Sequence, residues 1–198
     1  MYPVFETIKV QQHKVYNLYY HLERMKKTAA FLSFRLPSLL NLETEILKAS
    51  NGSLQKAKVL YNKNGFEIHL EDYTMRNISQ FILIKNNAIE YPVKFTHRQP
   101  LILPSHLFSP AHEPLFVKDD KFTDSGYANI VFLKNKIWHT PTTPLLFGTK
   151  RQYYLDQHQI QSTEITMDSL QQFSHIGLIN AMIDLGECVL PISSIQIP

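Results

Sequence analysis

The chain has 198 residues, 44% of them hydrophobic and 12% aromatic, with 20 lysines and arginines against 17 aspartates and glutamates. Such a composition excludes a disordered chain and suits one large domain or two smaller ones sharing an interface. A formal charge of +3, with no long basic run, argues against nucleic-acid binding.

Val4 to Val10 alternates as a strand. Leu18, His21, Leu22, Met25, Ala29 and Leu32 recur at helical spacing, which predicts an amphipathic helix from Asn17 to Ser33. Pro37 breaks that pattern, and a second helix is expected over Ser38–Ala49, closed by Asn51-Gly52. Strands follow at Lys56–Tyr61 and Phe66–Leu70 about the turn Asn62-Lys63-Asn64-Gly65, and another at Phe81–Lys85. Residues 1–90 thus read as a small α+β domain.

A larger β-rich domain is expected over 91–198. It opens on Tyr91-Pro92-Val93-Lys94-Phe95 and crosses a stretch punctuated by Pro100, Pro104, Pro110 and Pro114. Strands are expected at Leu115–Lys118, Asn129–Leu133 and Lys136–His139, and a helix from Thr149 to about His158. Asp168 reads as the cap of a short helix, with closing strands at Ile176–Ile183 and Val189–Ile192. Neither repeats nor low-complexity segments interrupt the pattern.

Few residues stand out for chemistry on their own. By periodicity, Lys94 is a lysine on the solvent side of an edge strand; taken alone, Asp124 belongs to a turn or cap motif, and Arg24 is a solvated helix residue. Gly148-Thr149-Lys150 delivers free backbone N–H groups to a helix start, a setting that suits an anion such as phosphate. His106, His112 and Glu113 lie among prolines without a helical i, i+4 pair, which argues against a metal site. Nucleotide-binding glycine loops and a serine-nucleophile elbow are both missing.

The order of motifs is more informative. Thr123-Asp124-Ser125, Ala128-Asn129-Ile130-Val131-Phe132 and the run Thr140-Pro141 to Gly148-Thr149-Lys150-Arg151 resemble the class IV aminotransferase family. Phe5-Glu6-Thr7-Ile8-Lys9-Val10, His21-Leu22-Glu23-Arg24, Lys94-Phe95-Thr96-His97-Arg98 and Asn180-Ala181 resemble its other motifs, in family order along nearly the whole chain. The resemblance implies an α+β protein of fold type IV, like D-amino-acid aminotransferase, with pyridoxal 5'-phosphate as cofactor and a homodimeric assembly. It implies Lys94, in the second domain, as the Schiff-base lysine and proton shuttle. Asp124 would face the pyridine nitrogen, one methylene shorter than the glutamate many members carry. Arg24, the amides of Thr149 and Lys150, and the turn Asn180-Ala181 would surround the phosphate.

Two reactions share those parts. One is elimination from aminodeoxychorismate, giving pyruvate and para-aminobenzoate, which the Asn180-Ala181 turn and the short chain favour. The other is transamination of a branched-chain or D-amino acid. A non-catalytic descendant of the same fold is the third reading, against which Lys94, Asp124 and Arg24 argue together. Only Met1–Val4 stand where relatives carry a glycine-rich segment before Phe5-Glu6-Thr7, so an altered substrate preference or dimer is expected. A single cysteine, Cys188, suits a reducing compartment. With no signal peptide and no membrane-length apolar run, the expected location is the cytoplasm and the expected partner a small amino-acid-like molecule.

Overall fold

The structure is a computed structural model that describes residues 3–197. It divides into two compact units: the first runs to Thr74 and recovers Val93–His97, while the second comprises Met75–Pro92 and the chain from Arg98 onward.

The first unit contains β1 (Val4–Gln11), β2 (Lys14–Val15), α1 (Leu18–Phe31), α2 (Leu42–Ala49), β3 (Gln55–Asn62) and β4 (Gly65–Asp72). Its antiparallel sheet has the order β2-β1-β3-β4. Alternation along β1 and β3 turns Val4, Ile8 and Val10 inward, opposite Tyr61, Ala57 and Gln55 respectively. Helix α1 adds Met25 to that core, and α2 adds Leu42 and Ile46. The turn between β3 and β4 lies where the sequence predicts it. Helix α2 starts at Leu42 rather than Ser38, the residues just before it forming no helix.

The second unit contains β5 (Gln80–Lys85), β6 (His112–Lys118), β7 (Lys121–Ser125), β8 (Asn129–Lys134), β9 (Ile137–Pro141), α3 (Thr149–Asp156), β10 (Ile160–Thr163), β11 (His175–Ile179), β12 (Val189–Pro191) and β13 (Ile195–Gln196). Its main sheet follows β10-β9-β8-β7-β6-β5-β13, and β11 pairs with both β8 and β12. Phe81, Leu115, Phe122, Ile130, Phe132, Ile176 and Leu178 are among the buried residues of its core. Phe122 and Phe132 meet edge-on, with ring centroids 5.2 Å apart.

The boundary after Thr74 differs from the one expected near residue 90. Strand β5 pairs in parallel with β6, so it belongs to the second unit. Parallel neighbours cannot be joined by a hairpin, and the long connection between them carries Val93–His97 into the first unit. There Phe5 N–H donates to the Lys94 carbonyl at 3.0 Å, and Thr96 N–H donates to the Pro3 carbonyl at 2.9 Å. Lys94 therefore belongs to the first unit, in a bent segment where Phe95 N–H donates back to the Val93 carbonyl and Phe95 bridges to Val4, and not in a full strand of the second. Further along, Asp168 caps no helix, because Ser169 precedes the short 3-10 turn Leu170–Gln172. The strand expected to reach Ile183 ends at Ile179 and gives way to a turn.

Candidate active site

Each unit gathers its own set of polar groups. In the first, the inward row of β1 contains an acid: Glu6, wholly buried, follows Val4 and precedes Ile8. Helix α1 brings His21 and Arg24 to it, one turn apart on the same face. Arg24 donates from Nε to Glu6 Oε1 at 2.9 Å and from Nη2 to Oε2 at 2.5 Å, a two-point grip. His21 Nδ1 lies 2.7 Å from Oε2.

Burial alone would raise the Glu6 carboxyl, but the Arg24 guanidinium and the bonds from His21 and Arg24 outweigh it and hold it down at about 2. Burial also lowers His21, with the charges of Arg24 and Lys94 acting in the same direction against the bond to Glu6. His21 is therefore a neutral imidazole donating Nδ1–H to a carboxylate at neutral pH.

Lys94 completes this set. Its Nζ sits 4.8 Å from the centre of the Phe5 ring, and its side chain is half-buried. Tyr61 on β3 is fully buried nearby, its ionisation pushed up by burial and by Glu6. Glu6 uses the Nε and Nη2 edge of Arg24, so the guanidinium is oriented by one anion while only 13% of the side chain is exposed.

In the second unit the focus is Asp124, near the end of β7. It stands opposite Asn129 of β8, whose Nδ2 donates to Asp124 Oδ1 at 2.6 Å and to the Leu146 carbonyl at 2.9 Å. Leu146 N–H donates to Oδ2 at 2.8 Å. Asp124 is buried and forms no ion pair among the described residues. Burial raises its carboxyl to about 7, against hydrogen bonds from Leu146, Asn129 and Leu145 and the charge of Arg151. The sequence suggested a turn at this point; the acid is instead held within a strand by a cross-strand amide and a loop amide.

Gly148 sits against that amide. A Cβ there would come 1.8 Å from Asn129 Oδ1, so glycine is what allows the helix start and Asn129 to share the space. The helix then begins with Thr149, Lys150 and Arg151, all buried. First-turn N–H groups have no acceptor within their own helix. Arg151 turns away to donate to Thr140 Oγ1, the Pro141 carbonyl and Ser162 Oγ.

The second loop is the turn at Asn180-Ala181. Asn180 Oδ1 accepts from Met182 N–H at 2.8 Å and from Ile183 N–H at 3.0 Å, which fixes its shape. Lys150 Nζ donates to Asp184 Oδ1 just beyond it.

The expected residues thus divide: Lys94 and Arg24 are neighbours of Glu6 and His21 in one unit, while Asp124, Thr149, Lys150, Asn180 and Ala181 lie in the other. Sequence reasoning missed Glu6, although a charge in an inward row of a strand was a readable signal. It also missed Asp184, which has no local signature. Among the described residues no group of histidine, cysteine and acidic side chains could hold a metal, and no helix is long and apolar enough to cross a membrane.

Comparison with known proteins bears on the family and the fold. The family described as amino-transferase class IV matches residues 3–195. An uncharacterized protein of Haemophilus influenzae is 31% identical over 192 residues, covering 92% of this chain and 98% of its own. A crystal structure of a candidate 4-amino-4-deoxychorismate lyase from Haemophilus somnus is 28% identical, with a TM-score of 0.82 over 93% of this chain and 98% of that one. A hypothetical aminotransferase from Mycobacterium tuberculosis in its PLP-bound form shares the fold, with a TM-score of 0.74 at 15% identity over 98% of this chain and 81% of that one.

Proposed function

The chain belongs to the class IV amino-transferases, and from that premise we propose that it eliminates pyruvate from 4-amino-4-deoxychorismate using pyridoxal phosphate. The family is pyridoxal-phosphate-dependent. One observation carries the choice of reaction: the 28% identity to the candidate lyase extends over nearly all of both chains.

The side chains present fit the cofactor. Asp124 is a buried acid with no cationic side chain paired to it among the described residues, which suits the protonated nitrogen of a pyridine ring. Arg24, always charged and oriented by Glu6, suits a phosphate. The amides of Thr149 and Lys150 and the turn Asn180-Ala181 are the remaining candidates for that phosphate.

Pyridoxal phosphate, when bound, supplies an aldehyde for the substrate's amine and a ring that withdraws electrons from the carbon bearing it. Lys94 is the residue that would hold the aldehyde between turnovers and, released as an amine, would move protons. It takes the proton from the ring carbon bearing the substrate's amine and returns one to the methylene carbon of the departing side chain. The carbon–oxygen bond to that side chain breaks, pyruvate leaves, and the ring becomes the aromatic para-aminobenzoate. Asp124 would pair as a carboxylate with the protonated ring nitrogen and so help the ring withdraw electrons. Arg24 would supply a fixed positive charge for the phosphate, and the backbone amides would supply hydrogen bonds to it.

The lone Cys188, free and buried, supports a cytoplasmic location, and the family supports a homodimer, which light scattering would measure. The test is direct. Wild type mixed with pyridoxal phosphate should gain a violet absorption band that borohydride bleaches, and Lys94→Ala should not. Pyruvate should appear from aminodeoxychorismate, with Lys94→Ala slower by roughly 10²- to 10⁴-fold or more. Amino transfer to 2-oxoglutarate in place of pyruvate release would make the enzyme a transaminase. A wild type that stays colourless would leave a non-catalytic protein of the same fold.

A further inference from the structure

Lys150 is out of place by the usual rules for a helix start. The first turn of a helix carries partial positive charge, so a lysine there has the unfavourable sign, and burying its ammonium adds a desolvation cost. Yet its side chain is only 5% exposed, and its Nζ donates to Asp184 Oδ1. Tyr154, one turn further along α3, donates its hydroxyl to the same Oδ1 at 3.0 Å and accepts from Leu185 N–H at 3.0 Å. Two successive turns of α3 therefore grip Asp184 and Leu185. Those residues follow directly on the turn Asn180–Ile183, whose backbone is closed by reciprocal bonds between Asn180 and Ile183.

We propose that the Lys150–Asp184 ion pair, braced by Tyr154, is a clasp that fixes the Asn180-Ala181 turn against the first turn of α3, so that the two sets of backbone amides meet the cofactor's phosphate in one arrangement. The inference rests on the pyridoxal-phosphate reading above. The pair is neutral overall and adds no net attraction for an anion. Its contribution is positional: the buried ammonium of Lys150, 5% exposed, would be left without its carboxylate if the two parted, so it holds to half-exposed Asp184. Lys150 and Asp184 are positioning residues on this account, acting through amides other than their own side chains.

A positional role for the phosphate predicts a difference between two ligands. Dissociation constants for pyridoxal phosphate and for pyridoxal, which lacks the phosphate, would be measured by absorbance titration on wild type, Lys150→Met, Asp184→Asn, Lys150→Arg and the double variant Lys150→Met/Asp184→Asn. Lys150→Met and Asp184→Asn should each weaken pyridoxal phosphate on the order of tenfold, the scale of one charged hydrogen bond, with pyridoxal held as by wild type. Lys150→Arg should retain most of the affinity, and the double variant should be no weaker than the weaker single one, since both remove the same contact.

Equal loss for the two ligands would mean general packing, and no loss for either would mean an idle ion pair; both results overturn the clasp. So does a loss on Lys150→Met that Asp184→Asn does not share, because the lysine would then be acting alone. Should Lys150→Met fail to fold, Asp184→Asn carries the same comparison from a side chain that is 36% exposed. A wild type that takes up no pyridoxal phosphate overturns the proposed function and the clasp with it. A wild type that binds, with variants that bind equally well, overturns the clasp alone.

Discussion

Glu6 occupies a position in β1 where period-two alternation calls for an apolar side chain, and it is charged there because two groups on α1 hold it. Glu6→Gln keeps the shape but leaves Arg24 without its anion. Breaking a buried ion pair by removing one partner costs about 3–5 kcal/mol, and Arg24's partial exposure puts the expected loss near the lower figure, about 3 kcal/mol by urea denaturation. The wild-type carboxyl is held at about 2, below the ordinary 4.5. Its contribution is therefore complete above pH 4.5 and lost as pH falls through about 2, so Glu6→Gln should abolish that part of the acid decline. Equal stability of the two proteins would show that the grip on Arg24 contributes nothing.

Asp124 has the opposite sign. Its folded carboxyl stands at about 7 against an ordinary 3.8, so between those values the folded chain binds more protons than the unfolded one. The cofactor-free protein should lose stability as pH rises from about 4 to about 7. Glu113, buried and raised by burial to about 7 despite Arg76, adds to the same decline. Melting temperatures measured across that range should fall less steeply for Asp124→Asn and for Glu113→Gln than for wild type. A wild-type slope in both variants would refute the assignment of these acids.

At the level of elements, local patterns were readable and distant partnerships were not. The spacing of Leu18, His21, Leu22 and Met25 specifies α1, and Asn62-Lys63-Asn64-Gly65 marks the turn between β3 and β4, because helix period and turn chemistry are written in neighbouring residues. The division into units was not readable, since it depends on β5 choosing β6 across a long connection. The candidate site divides in the same way: its motif residues could be named from order along the chain, whereas the partners Glu6 for Arg24 and Asp184 for Lys150 come from folding alone.

Gly148 shows how a local residue records a distant constraint. Its backbone, at φ −71 and ψ 143, is open to any amino acid, so the requirement is for space beside Asn129. Gly148→Ala must push Asn129 off Asp124 and off the Leu146 carbonyl. Overpacking of that kind costs about 1–3 kcal/mol, and a lowered melting temperature with weakened pyridoxal phosphate binding is the expected result. An unchanged melting temperature would mean that Asn129 has another place to go.

For the whole molecule, the two units should answer to pH in opposite directions. The first unit carries Glu6, whose ionised form is stabilised by folding, and His21, whose neutral form is. Both therefore weaken it as acid is added: His21 from below about its ordinary 6.5, and Glu6 from below its ordinary 4.5. The second unit carries Asp124 and Glu113, whose neutral forms are stabilised, so alkali weakens it. A single melting curve mixes the two effects, but hydrogen exchange read peptide by peptide separates them. After correction for the intrinsic pH dependence of exchange, peptides from β1 and α1 should lose protection between pH 7 and 4. Peptides from β6, β7 and β8 should lose theirs in the opposite direction, as pH rises from about 4 to about 7. If both sets moved the same way, the buried charges would not be governing local stability, and the electrostatic case for a protonated ring nitrogen opposite Asp124 would lose its physical basis.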